Sequence, residues 1–114
     1  MFVLALFGAL LFTSLISGCT MHTTNFDSDT WKSQRGAAPQ ANKRGHMVGA
    51  VDKAVQVGML RAEVIELLGQ PDSIAADAKV ERYELGVSEY GIDEEYYEIR
   101  YEDGKVVSHR WARR

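Results

Sequence analysis

The chain has 114 residues and a formal net charge of −3 at pH 7, and its charges are unevenly distributed. All 13 Lys and Arg and all 16 Asp and Glu lie after a charge-free stretch at the start. From residue 46 onwards, 14 acidic residues face 9 basic ones, which argues against nucleic acid as a partner because its binding is driven by basic patches. A single Cys excludes a disulfide within the chain.

Residues 1–18 form an apolar run that stops at small residues, which is typical of a signal sequence. The run is shorter than the ~20 residues that a membrane-spanning helix needs. Its end, Ile16-Ser17-Gly18-Cys19, resembles the bacterial lipobox. This resemblance implies that Cys19 becomes the first residue of the mature chain and carries a covalent lipid such as palmitate. We predict no other cofactor. No Lys or Arg precedes the run, so either the start codon lies upstream or the positive end is missing from this chain.

Residues 19–45 are predicted to be the lipidated Cys and a flexible tether. The stretch is rich in Thr, Ser, Asn, Gln, Ala and Gly and has neither a helical nor a strand period. Such a composition cannot bury enough apolar surface to order itself, and a flexible chain of this length reaches roughly 25–30 Å. Trp31 in the tether is expected to be exposed, and the alternative is that it anchors a partner.

Two short amphipathic helices are predicted at the start of residues 46–114, which we expect to form the folded domain. The first spans residues 47–57 and ends at Gly58, because Gly commonly follows the last turn of a helix. The second follows at once and ends at Gly69, and Pro71 prevents its continuation. Apolar residues at helical spacing are Met47, Val48, Val51, Ala54 and Val55 in the first helix and Leu60, Val64, Leu67 and Leu68 in the second.

The hydrophobic period then changes to 2, which predicts three strands. Residues that would share one face are Glu81, Tyr83 and Leu85 in the first strand and Tyr97, Ile99 and Tyr101 in the second, and the third runs from Lys105 to Trp111. We therefore predict an α+β fold, in which a two-helix hairpin packs on one face of a three-stranded antiparallel sheet in the order ααβββ.

The loop of the last hairpin decides which residues face the core. A two-residue loop would pair Tyr101 with Val106 and mix apolar and polar residues on each face. A three-residue loop, Glu102-Asp103-Gly104, instead pairs Ile99 with Val107. Because one face of the sheet must be buried, we predict the three-residue loop. It places these residues on one face: Tyr97, Ile99, Tyr101, Val107 and Trp111.

Four short motifs follow the lipobox in the chain: Val57-Gly58-Met59, Val64, Leu67-Leu68-Gly69-Gln70-Pro71 and Tyr101-Glu102-Asp103-Gly104-Lys105-Val106. In this order they are similar to the SmpA/OmlA family, which includes the small lipoprotein subunit of the outer-membrane β-barrel assembly machine. The resemblance covers roughly residues 45–111 and implies a helix hairpin on a sheet, as in β-lactamase-inhibitor-like proteins. Leu60 stands where the family usually has Ser or Thr, so the second helix is predicted to lack a side-chain cap.

The resemblance implies a non-catalytic lipoprotein on the periplasmic face of the outer membrane. It would support outer-membrane protein assembly or envelope integrity through contacts with a protein partner, the β-barrel assembly machinery or similar. Thr20, directly after the lipid-bearing Cys, implies outer-membrane sorting by the habit of many Gram-negative lipoproteins. Two alternatives stay open: a small periplasmic binding or inhibitory module acting on an envelope enzyme, and an osmotic-stress lipoprotein of the same family.

The candidate docking surface is the outward face of the sheet with the loop 86–96, because the helices are expected to cover the other face. Its apolar and aromatic residues lie in an otherwise polar segment, as interface anchors tend to do. The alternative is that they pack on the domain's own edge. The candidate anchors are Val87, Tyr90, Ile92, Tyr96 and Arg100.

No catalytic or metal-binding pattern stands out, and we predict neither an enzyme nor a metal site. The three histidines, His22, His46 and His109, lack zinc-ligand spacing, and no nucleophile-elbow motif surrounds a Ser. The acidic cluster Asp93-Glu94-Glu95 with Glu98 offers oxygen ligands to calcium. We interpret it instead as a solvated loop beside an edge strand that discourages sheet-to-sheet pairing.

Overall fold

The computed structural model of the chain describes residues 26–88 and 91–114. The predicted signal peptide, the lipid-attachment residue Cys19, the sorting residue Thr20 and the candidate anchor Tyr90 lie outside the described residues. Within them, helices pack against an antiparallel sheet, so the α+β class is confirmed at that level.

The sheet has four strands in the spatial order β1-β2-β3-β4, and all neighbours are antiparallel. The elements are α1 (Ser28–Ser33), a 3-10 helix (Lys43–Met47), α2 (Val48–Ala54), α3 (Arg61–Leu68), β1 (Ser73–Ile74), β2 (Val80–Val87), β3 (Glu94–Glu102) and β4 (Lys105–Arg113). The prediction of three strands is wrong by one. The missing strand, β1, has only two residues, too few to show an alternating pattern in the sequence.

The segment before residue 46 belongs to the fold. The carboxylate of Asp27 accepts the backbone N–H of Thr30 at 3.0 Å and caps α1. The side chain of Trp31 on this helix is 0% exposed. The prediction of an exposed Trp31 is therefore wrong, as is a structureless tether over residues 26–45. The prediction rested on the mean composition of the segment, which is polar. One Trp side chain buries roughly 200 Å², and this is enough to hold a polar segment against the domain.

The helix α2 is shorter than its apolar pattern predicts. It ends at Ala54 because Val55 adopts an extended backbone (φ −87°, ψ 126°) with its side chain buried in the core. Gly58 therefore does not close the helix. With φ at +97°, it turns the chain so that its N–H donates to the carbonyl oxygen of Val106 at 2.8 Å.

The helix α3 is confirmed where the sequence places it. Val64 and Leu68 are buried, and Gly69, with φ at +79°, follows the last turn. Leu60 precedes the helix and supplies no side-chain cap, as predicted. The carboxylate of Glu63 accepts the backbone N–H of Leu60 at 2.9 Å, which satisfies one of the free donors at this end.

The pairing of β2 with β3 places the predicted alternating residues in the core. Tyr83 lies opposite Tyr97, and Glu81 lies opposite Ile99. Residues directly opposite each other share a face of the sheet, so these side chains form one layer beneath the helices. The core contains Trp31, Val51, Val55, Val64, Leu68, Tyr83, Leu85, Tyr97, Ile99, Tyr101 and Val106.

The hairpin between β3 and β4 has a two-residue loop, Asp103-Gly104, and the predicted three-residue loop is wrong. Both loop residues have positive φ, +52° and +77°, as a type I′ turn requires. Tyr101 consequently pairs with Val106, and Val106 is buried instead of Val107.

A β-bulge restores the segregation of faces that the short loop would otherwise lose. The pairing shifts between Arg100 and Tyr101, and Val107 is the extra residue on β4. Beyond the bulge, Trp111 lies on the core face, as predicted, and is 42% exposed. Its partner across the ladder is Tyr97, whereas the predicted register would have placed it opposite Glu95. The bulge thus reconciles the alternating pattern of β4 with a two-residue loop, and the length of the loop alone does not reveal it.

Candidate docking surface

The outward face of the sheet carries a network of arginines around one carboxylate. Glu98 on β3 accepts from the Nε of Arg82 on β2 at 2.8 Å and from the Nε of Arg110 on β4 at 3.0 Å. These residues come together because alternation sends them away from the core and the register places Glu98 opposite both. The Glu98 hydrogen bond is the main reason that the pKa of Arg82 is raised.

Tyr96, a predicted anchor, lies on this outward face and is partly buried by it. The guanidinium carbons of Arg82 and Arg114 each lie 5.4 Å from the centre of the Tyr96 ring. Such cation-π contacts hold the ring in place. The Tyr96 ring is therefore held in one position, so a partner that binds it would pay little side-chain entropy.

Arg100 lies further along β3 on the same face. It is roughly 13 Å from Tyr96, because a strand rises about 3.3 Å per residue. Its side chain is exposed, and it forms no ion pair with any described residue. A shallow cleft of about 280 Å³ lies beside it. The cleft is lined by Val80, Arg82, Glu98, Arg100, Ser108, His109 and Arg110.

The loop between β2 and β3 supplies the other predicted anchors. Ile92 is 91% exposed, so it does not pack on the domain's own edge. Val87, the last residue of β2, is half-buried, and its N–H donates to the carbonyl oxygen of Pro39. The exposed candidate anchors are spaced from the loop along β3, in the order Ile92, Tyr96 and Arg100. Val87 is less available to a partner, because it is half-buried in the domain.

The acidic cluster does not converge on one point. Glu95 points to the core face, where its two oxygens accept from the Nε1 of Trp111 at 3.2 Å and from Arg113 at 3.1 Å. Glu94 and Glu98 lie on the opposite face and pair with arginines. Within residues 26–88 and 91–114, no group of three or more His, Cys, Asp or Glu is placed to hold a metal ion.

A buried arginine that sequence reasoning missed fixes the segment before residue 46 to the sheet. Arg44 is 1% exposed, with its guanidinium carbon 4.8 Å from the ring centre of Trp31 and 5.9 Å from that of Tyr83. Its Nη1 donates to Asp72 at 3.0 Å, and its Nε donates to the carbonyl oxygen of Trp31 at 2.9 Å. Burial lowers the pKa of Arg44, and the charge of Asp72 opposes this effect.

A second missed cluster joins α2 to the sheet. The hydroxyl of Tyr97 donates to Asp52 on α2 at 2.6 Å and contacts Nδ1 of His109 on β4 at 2.5 Å. One proton arrangement satisfies both contacts: His109 donates to the hydroxyl oxygen, and the hydroxyl donates to the carboxylate. Burial, followed by the contact with Asp52, raises the pKa of Tyr97, so the phenol stays neutral. The cluster positions α2 against the sheet.

No single pattern in the sequence points to either missed cluster. The partners of Arg44 and Tyr97 come from elements far apart in the chain, and polar residues at such positions are usually solvated.

Comparison with known proteins adds no relatives to these observations. No family model matches the chain, and no curated protein matches its sequence. The part of the chain that the structure describes contains no helix long and apolar enough to cross a membrane.

Proposed function

We propose that this protein is a non-catalytic lipoprotein of the outer membrane, anchored through Cys19, that docks on a protein partner in the periplasm. The role would be support of outer-membrane protein assembly or of envelope integrity. The observation that carries the proposal is the charge-free run 1–18 that ends at Ile16-Ser17-Gly18-Cys19, in a chain with no other Cys.

The outward face of the sheet supports docking as the mode of action. The described helices pack on the opposite face, so Tyr96 and Arg100 remain accessible to a partner. Ile92 adds an almost fully exposed apolar side chain in the loop before β3. Aromatic and Arg side chains are enriched at protein interfaces, where a few such residues supply most of the binding free energy.

A second candidate function rests on the same surface. Helices packed on one face of a sheet, with the outward face free, also suit a small module that binds or inhibits an envelope enzyme. The identity of the partner separates the two candidates, because an assembly-machine component supports the first and a periplasmic hydrolase supports the second. An osmotic-stress lipoprotein of the same kind would share the anchor and differ in when it is made.

Cross-linking in intact cells tests the docking surface. A photo-reactive amino acid at Ile92 is expected to capture a defined envelope protein, identified by mass spectrometry. The same group at Lys53, which is exposed on α2 on the helical side, is the matched control and should capture much less. Equal capture from both positions, or none from Ile92, would contradict docking through the outward face.

A further inference from the structure

The strand β4 leaves most of one sheet edge unpaired. Its first part is covered, because Gly58 donates to the carbonyl oxygen of Val106 at 2.8 Å and Val106 donates to that of Met59 at 2.9 Å. From Ser108 to Arg113, no described residue pairs with the outer side of the strand. An unpaired strand edge is a template for an incoming strand.

The direction of the free groups follows from the ladder. Arg114 donates its N–H to Glu94, so residue 114 bonds inward to β3. In an antiparallel pair this orientation alternates along the strand. The N–H and C=O groups of His109, Trp111 and Arg113 therefore point away from the sheet. The register from Ser108 to Arg113 is regular, and the bulge at Val107 lies before it.

The positive charge of β4 and of the residue after it indicates which kind of strand would pair with this edge. Residues 105–114 contain four Lys and Arg, one His and no acidic residue, in a chain whose net charge is −3. Two copies of β4 placed edge to edge would bring these like charges together, which disfavours self-pairing. Arg110, Arg113 and Arg114 already pair with carboxylates of β2 and β3, but their side chains remain about half exposed or more. They can therefore still donate hydrogen bonds to an acidic strand.

The two faces beside the edge differ in chemistry. On the outward face, Arg110 and Arg100 flank Ser108 in the shallow cleft. On the core face, Trp111 is 42% exposed at the end of the apolar layer. Because side chains of an added strand alternate between faces, its acidic residues would meet the arginines and its apolar residues would meet Trp111.

We propose that the free part of β4, Ser108–Arg113, accepts an extended acidic segment of a partner protein as a fifth strand. Main-chain hydrogen bonds to the outward groups would supply affinity, and the alternation of acidic and apolar side chains would supply specificity. The inference deepens the proposed docking function by naming the chemistry of the partner. It does not depend on the lipid at Cys19, so the two can fail separately.

Peptide titration of the full chain in detergent micelles tests this proposal. The probe is a capped peptide of alternating Glu and Val, and binding is followed by the fluorescence of Trp111, the exposed one of the two Trp. Two controls are a peptide of alternating Lys and Val and a peptide with the same Glu and Val content in two blocks. The alternating acidic peptide is expected to bind at least ~10-fold more tightly than either control.

Paired variants separate backbone pairing from charge. His109→Pro removes an N–H that faces away from the sheet, whereas His109→Ala keeps it, and both lose the contact with Tyr97. With the fold verified by circular dichroism, the Pro variant should bind the peptide ~10-fold or more weakly than the Ala variant. Arg110→Glu should weaken binding of the acidic peptide and strengthen that of the basic one.

Three results would overturn the proposal. The first is no binding of the alternating acidic peptide. The second is equal binding of the alternating and blocked peptides, which would show charge attraction alone. The third is a concentration-dependent dimer, seen by sedimentation, that His109→Pro abolishes, because a second copy would then occupy the edge. In each case labelling of Cys19 by lipid would be unaffected.

Discussion

At the scale of single residues, two tryptophans in one small domain should differ sharply in their contribution to stability. Trp31 is fully buried against Tyr83 and Arg44, whereas Trp111 is 42% exposed. Trp31→Ala leaves a cavity and is expected to lower the free energy of unfolding by about 3–5 kcal/mol. The control Trp111→Ala removes a partly exposed ring and one hydrogen bond to Glu95, so it should cost less, about 1–2 kcal/mol. Urea unfolding measures both, and equal losses would contradict the burial of Trp31.

Burial raises the pKa of three core tyrosines: Tyr83, Tyr97 and Tyr101. Because the same groups ionise near pH 10 in the unfolded chain, the unfolded state binds fewer protons than the folded state above that pH. Stability is therefore fully present below about pH 10 and should fall as the pH rises beyond it. Urea unfolding between about pH 9 and pH 11 checks the sign.

Tyr101 offers a clean variant for this titration. Its hydroxyl is buried and has no hydrogen-bond partner among the described residues, whereas that of Tyr83 donates to the carbonyl oxygen of Gly69 at 2.7 Å. Tyr101→Phe is expected to leave stability at neutral pH unchanged or higher and to make the alkaline loss shallower. Tyr83→Phe should cost about 1 kcal/mol. A steeper alkaline loss in Tyr101→Phe would count against the burial of that phenol.

At the scale of elements, the chain before residue 46 packs on β2 at Gly86. A Cβ at this position would lie 2.4 Å from the carbonyl oxygen of Pro39 and 2.9 Å from Cβ of Asn42. Gly36 is a matched control, because its φ of +84° resembles the +88° of Gly86 while nothing lies within 4 Å.

Substitution by Ala at these two glycines should separate strain from contact. Gly36→Ala pays only for the positive φ, about 1–2 kcal/mol of unfolding free energy. Gly86→Ala adds overpacking of about 1–3 kcal/mol against the segment that contains Pro39. Thermal and urea unfolding measure the difference, and indistinguishable variants would show that this segment is not held against the sheet.

The elements that the sequence predicted well are those whose formation depends on their own residues. The helix α3 carries regularly spaced Val64 and Leu68 and a Gly exit, and β2 alternates through Tyr83. The elements that it missed depend on partners elsewhere. The helix α1 needs a cavity for Trp31, and the bulge at Val107 arises because the type I′ turn and the burial of one face cannot both be satisfied without an extra residue.

The candidate site shows the same division. Alternation along β3 is enough to place Tyr96 and Arg100 on one face, and the structure puts them there. The pairing of Glu98 with two arginines requires the register of three strands, which the sequence predicted with an error at the last hairpin. Tyr90, also predicted as an anchor, lies outside the described residues.

At the scale of the whole molecule, the packing of residues 26–45 on the domain shortens the connection between the fold and the proposed anchor at Cys19. Between Cys19 and the described chain lie residues 20–25, whose contour length is at most about 20 Å. A lipid on Cys19 would therefore hold the domain close to the headgroups, nearer than a tether reaching to residue 45 would. A partner docking on the outward face would then be engaged beside the membrane.

Metabolic labelling with radioactive palmitate, followed by mass spectrometry of the purified mature chain, tests the central claim most directly. The account predicts label on the wild-type protein, a mature chain that begins at Cys19, and no label on Cys19→Ala. An unlabelled wild-type protein, or equal label on Cys19→Ala, would contradict a lipid anchor at this residue.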